Sequence, residues 1–126
     1  MTKAQSHRDS RREARIDQEA VVDAYTSDER AMGWYYYLEG KVKFPFTAIC
    51  TTRRATSPFA VGESLSVIGL APEEDCMAEI IVITEFSGRT LGVPLAQIRP
   101  RNADVSTAAK QAIEDWHYWV AMGYQY

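Results

Sequence analysis

Cysteine and histidine are scarce in this chain, with two of each among 126 residues, and the scarcity removes several chemistries at once. Cys50 and Cys76 stand 26 positions apart, so there is no CxxC pair for a zinc ribbon or a dithiol redox centre, and two ordinary buried thiols are expected. His117 has no HExxH partner, neither cysteine lies near a histidine, and no GxSxG elbow, P-loop or GxGxxG is present. No EF-hand pattern of spaced Asp and Asn around a glycine occurs either. No apolar run approaches the roughly 18 to 20 residues that span a bilayer, and the first fifteen residues carry no apolar signal-peptide core. The expectation is a soluble, cytoplasmic, non-catalytic protein with no membrane partner.

What is present suffices for one domain: 46% of residues are hydrophobic, enough to bury a real core at this length. The net charge of -3 hides an asymmetry, because five Lys or Arg face two acids among the first fifteen residues. The body is therefore mildly acidic, which disfavours nucleic acid as a partner and favours cations. Residues 1–9 show no apolar periodicity and read as a disordered basic tail ahead of a single domain over 10–126. A monomer is expected, with any protein partner unidentified.

The densest stretch runs from Asp28 to Phe46. Ala31, Trp34, Tyr35 and Leu38 fall at helical spacing, and four adjacent aromatics, Trp34 to Tyr37, cover most of the helix circumference. One flat partner cannot bury them all, so this helix is expected as a middle layer, with helices on one side and a sheet on the other, and with tyrosine hydroxyls reaching water or buried acceptors. Thr26 with Glu29 forms a capping box that starts it; Gly40 suits its C-cap and Pro45 forbids continuation. Ahead of it, Ser10 with Glu13 reads as the capping box of a first helix that ends near Tyr25, with Ile16, Ala20, Val21 and Ala24 on its apolar face.

From Phe46 the period becomes strand-like. Strands are expected at Phe46 to Thr52, Ser64 to Leu70, Ile80 to Phe86 and Thr90 to Val93, with Ser87-Gly88 as a hairpin turn and a short fifth strand around Gln97 to Arg99. Asp104 or Ser106 can cap a final helix bearing Ala109, Ala112, Ile113, Trp116 and Val120, closed by Gly123. The fold class is α+β: a small curved antiparallel sheet, or an SH3-like barrel, of four to five strands flanked by two N-terminal helices and one C-terminal helix. The last helix should pack near the central one, aromatic against aromatic.

Oxygen donors gather at Glu73, Glu74 and Asp75, a turn whose three adjacent carboxylates are relieved either by full solvation or by a divalent cation. Glu39, at the C-terminal end of the central helix, sits where the helix dipole disfavours a carboxylate unless a cation compensates. These four are the candidate metal ligands, with Ca2+ as the ion. Asp28 and Glu29 are explained by capping at the helix start. Glu114 and Asp115, in the middle of the last helix, could serve a metal, a buried pair with an arginine, or nothing, and the structural reading ranks first.

The strings Gly33-Trp34-Tyr35-Tyr36-Tyr37-Leu38-Glu39, Pro72-Glu73-Glu74-Asp75-Cys76 and Asp115-Trp116-His117-Tyr118-Trp119, with Phe44-Pro45-Phe46 and Val93-Pro94-Leu95 between them, resemble the CcbP-type family of small bacterial calcium-binding proteins from about Ile16 to Tyr126. The resemblance implies a compact α/β domain that binds calcium without EF-hands, through clustered carboxylates, as an intracellular buffer or sensor. This chain is less acidic than the family pattern. The alternative is a non-metal interaction module, an SH3-like sheet presenting Arg53, Arg54 and Phe59 to a protein or nucleic acid.

Overall fold

The computed structural model describes residues 8–55, 57–101 and 105–126. Helix α1 covers Ser10–Arg15 and is capped by Asp9, whose Oδ1 accepts from the Arg12 amide at 3.0 Å. The expected cap at Ser10 is therefore displaced by one residue. Glu13 does not close a box with it, because its carboxylate accepts instead from the Tyr118 and Tyr124 hydroxyls of the far C-terminus, at 2.7 and 2.6 Å. Of the tail read over 1–9, residues 1–7 lie outside the described residues, and Asp9 belongs to the helix cap.

Helix α1 runs into a π-helical turn, Ile16–Ala20, and the chain leaves the helix there rather than near Tyr25. Asp23, at φ 54°, turns it toward the next element. Helix α2, Ser27–Lys41, begins at the expected box: Thr26 Oγ1 accepts from the Glu29 amide at 3.1 Å, and Glu29 accepts from the Thr26 amide at 3.0 Å. Gly40 is not its C-cap. It is the penultimate helical residue with an ordinary negative φ, and Val42 caps by donating its N–H to Leu38 O at 2.9 Å. Gly33 matters more, since a Cβ there would run into the carbonyl oxygen of Ala20. The π-turn and α2 thus approach backbone to backbone, which only glycine allows.

Strands β1 (Phe46–Cys50), β2 (Ser64–Leu70), β3 (Ile81–Phe86), β4 (Arg89–Pro94) and β5 (Ile98–Pro100) form one antiparallel sheet in the order β4-β3-β2-β1-β5. Its first four strands are the meander read from the alternation, and β5 returns to pair with β1, Cys50 opposite Ile98. Ser87 and Gly88 both take positive φ, 53° and 76°, the pair that a tight hairpin of this twist requires. Among the described residues no ladder joins β4 to β5, so the small curved sheet is open rather than a closed barrel. Alternation places Leu65 and Val67 inward, with Phe46, Ala48 and Cys50 beside them.

Helix α3, Thr107–Ala121, is capped by Ser106 through the Ala109 amide at 3.1 Å and closed by Gly123 at φ 79°; Asp104, the other candidate cap, lies outside the described residues. Helices α2 and α3 meet as expected, the Trp34 ring standing edge to face on Trp116 at 5.1 Å and on Trp119 at 5.6 Å. The layering differs from a lone middle helix. Leu38 of α2 and Ile113 of α3 both reach the sheet residues Phe46, Leu70 and Val82, so the two helices share the layer that covers the sheet. The reason is that α3 carries its own apolar stripe, with Ala109, Ala112, Ile113 and Trp116 all buried.

Candidate metal centre

Three of the four aromatics of α2 are buried, Trp34, Tyr35 and Tyr37, while Tyr36 is 52% exposed. Consecutive helical residues diverge by about 100°, and the three hydroxyls accordingly reach three different neighbours. Tyr35 donates to Ala71 O at 2.7 Å, just ahead of the acidic turn. Tyr36 donates to Glu73 Oε2 at 2.6 Å. Tyr37 donates inward to Asp115 Oδ2 at 2.8 Å. One helical turn therefore ties the acidic segment to the molecule's centre.

The acidic segment is a single 3₁₀ turn, Glu73–Cys76, fixed by the Asp75 amide on Pro72 O at 2.9 Å and by the buried Cys76 side chain. Cys76 Sγ accepts from the Ile81 amide at 3.4 Å, and burial pushes its thiol pKa up, which keeps it protonated and inert. Glu73, Glu74 and Asp75 are all exposed, as is Glu39. The phenol of Tyr36 is raised above its ordinary range first by the hydrogen bond to Glu73, then by that carboxylate's charge, by burial and by the charge of Glu39. Tyr35 is raised mainly by burial, with Cys76, Glu39 and Glu73 adding to it. The fields of Glu39 and Glu73 thus meet at the same two tyrosines.

Glu39 and Glu73 both act on Tyr35 and Tyr36, and Glu74 and Asp75 follow Glu73 on the same short turn. Among the described residues no three His, Cys, Asp or Glu side chains are grouped closely enough to hold a metal ion. The donor chemistry fits calcium, which takes six to eight hard oxygens in a flexible shell, but the side chains stand apart rather than in a finished cage. Tyr36 is the participant that periodicity did not reveal. Its part follows from a contact across 37 positions, and an exposed tyrosine on a helix carries no local sign of such a partner.

The other polar candidates are occupied. Asp115 is fully buried and accepts from Arg12 Nη1 at 2.7 Å, Arg15 Nε at 2.9 Å, Arg15 Nη2 at 2.7 Å and Tyr37, so of the alternatives left open by the sequence it takes the buried pairing with arginine. Burial, then the bond to Asp115, raises the Tyr37 phenol. His117 donates from Nε2 to Ile98 O at 2.8 Å, and burial, with Arg99 nearby, lowers its pKa to about 4. It is a neutral structural histidine at physiological pH. The features of the interaction-module alternative disperse: Phe59 is fully buried against Phe86, ring centroids 4.9 Å apart, and Arg54 is paired with Glu79 at 3.2 Å. Phe59 is an apolar ring consumed by the core, and it is not presented to a partner.

A family model for CcbP-type calcium binding matches residues 14–120. The chain belongs to the CcbP family of calcium-binding proteins. Among solved structures, Anabaena CcbP is similar at 36% identity, with a TM-score of 0.82 and coverage of 95% of this chain and 97% of that one. A structure described as a calcium-binding protein in the calcium-binding form is similar at 35% identity, with a TM-score of 0.82 and coverage of 94% and 96%. Among curated proteins none matches. Membership of the CcbP family accounts for the Gly-Trp-Tyr-Tyr-Tyr-Leu-Glu and Asp-Trp-His-Tyr-Trp strings, which here prove to be the helix-packing and buried ion-pair segments of α2 and α3. Among the described residues no helix is long and apolar enough to cross a membrane.

Proposed function

We propose that this CcbP-family chain is a non-catalytic calcium-binding protein of the cytoplasm, a buffer or sensor, and that its site lies where the end of α2 meets the acidic turn. Glu73, Glu74, Asp75 and Glu39 are the ligands of this reading, within a single domain over 10–126. The observation that carries it is the Tyr36 to Glu73 hydrogen bond of 2.6 Å, which holds one carboxylate of the turn against the helix that bears Glu39. A divalent cation drawn to these acids would offset the repulsion that gathering them around one ion entails. The side chains are exposed and unbranched, so they adjust to the 2.3–2.6 Å oxygen shell of calcium more easily than to the strict octahedron of magnesium.

Binding to the folded state alone stabilises it by RT ln(1 + [L]/Kd), about 2.7 kcal/mol at a hundredfold excess over Kd. For a domain of this size that corresponds to a rise in melting temperature of roughly 10 °C. Replacing Glu73, Glu74 and Asp75 together by Ala should leave the metal-free melt nearly unchanged and abolish the rise. A variant that still gains the full increment with calcium would place the ligands elsewhere. Near-UV circular dichroism of the wild type separates the two roles: an unchanged aromatic signal on loading marks a buffer, and a changed one a sensor.

A further inference from the structure

Away from the acidic turn, between the π-helical turn and the C-terminal residues, lies a recess of about 270 Å³ lined by Glu13, Ile16, Asp17, Trp119, Tyr124 and Gln125. The Trp119 and Tyr124 rings stand edge to face, centroids 5.1 Å apart and planes at 64°. They form two walls of a corner, and the buried Ile16 adds an aliphatic one. The charge of the corner is negative. Hydroxyl donation from Tyr124 and Tyr118 holds the Glu13 carboxyl below the usual carboxylate range, and Arg8 Nη2, 2.7 Å from its Oε1, balances it. Asp17 is exposed and has no hydrogen bond or ion pair among the described residues, so its charge is the unbalanced one.

We propose that this recess binds a small organic cation, an alkylammonium whose charge faces Asp17 and whose methyl or methylene groups lie against Trp119, Tyr124 and Ile16. The negative faces of aromatic rings attract such cations, and the aliphatic wall matches their carbon body. A bare divalent ion suits the recess less well, because its oxygen shell would have to draw on the Glu13 carboxylate, which Arg8, Tyr118 and Tyr124 already occupy. The volume is just under the roughly 300 Å³ at which pockets for drug-sized ligands begin, so the ligand has few heavy atoms.

The test uses the full chain in chelator-containing buffer, with choline as the probe and 3,3-dimethyl-1-butanol as its uncharged counterpart. The Trp119 indole N–H is followed by nuclear magnetic resonance. A saturable shift is expected with choline at a millimolar Kd or tighter, with the neutral alcohol about tenfold weaker. Asp17→Asn, a surface change, should weaken choline by about threefold or more without altering the melting temperature or the calcium response of the acidic turn. Equal binding of the alcohol and choline, or no Trp119 shift at saturating choline, would overturn the proposal. So would an Asp17→Asn variant that binds choline as well as the wild type.

Discussion

Asp115→Asn is the most informative single change to the scaffold. The carboxylate is wholly buried and accepts from two guanidiniums and the Tyr37 hydroxyl, whereas the amide keeps the shape, loses the charge and turns one oxygen into a donor. Breaking a buried ion pair by removing one partner costs about 3–5 kcal/mol. The lower end applies, about 3 kcal/mol, because the Arg12 and Arg15 side chains remain 22% and 21% exposed and water screens part of their charge. With a urea slope of about 1–3 kcal/mol/M, the unfolding midpoint should fall by roughly 1–3 M at unchanged slope. Tyr37→Phe removes one bond to a charged acceptor and should lose about 1.5 kcal/mol. The double variant should lose less than the sum, since the two residues share that bond. An Asp115→Asn loss below about 1 kcal/mol, or strict additivity in the double variant, would refute the view that this network fastens α1 to the two long helices.

Tyr36→Phe deletes the hydroxyl that orients Glu73 and should weaken calcium binding several-fold in titration calorimetry, while the melting temperature stays within a few degrees, because the ring is half exposed. Gly33→Ala, a substitution that favours an isolated helix, should instead destabilise by about 1–3 kcal/mol, because the added methyl meets the Ala20 backbone carbonyl rather than a movable side chain. Thermal melting checks this, and a raised melting temperature would contradict it. His117 is held neutral in the fold, with its pKa lowered to about 4 by burial and the nearby Arg99, so the unfolded chain binds the extra proton first. Stability should be flat above about pH 6.5 and fall by an amount on the order of 3 kcal/mol toward pH 4. In His117→Gln, denaturant titrations across that window should show a shallower fall.

Local signals carried most of the architecture. The Thr26 and Glu29 box, the Ser87-Gly88 hairpin and the Ser106 cap act within three or four residues, so they are written in adjacent letters. Gly40 misled because glycine near a helix end has two readings, and only the backbone reveals that Val42 does the capping. The early end of the first helix was hidden for a different reason. Val21 and Ala24 keep the apolar spacing, but the close approach of Ala20 to Gly33 and the left-handed Asp23 turn the chain away. At the proposed site, Glu39, Glu73, Glu74 and Asp75 were legible as acids in unusual places. The partner that joins helix to turn, Tyr36, was not, because a bond across 37 positions has no local signature. Asp115 announced a structural role, but its two arginines come from α1, about a hundred positions away.

The central claim is that the chain binds calcium at the junction of α2 and the acidic turn. Its most direct test is isothermal titration of chelator-stripped protein with calcium, using magnesium as the control and the Glu73, Glu74 and Asp75 triple alanine variant alongside. The account predicts saturable binding of calcium in the wild type, selective over magnesium, and none of comparable affinity in the variant. Identical isotherms for the two proteins would contradict the site, and no heat with either protein at millimolar calcium would contradict the function.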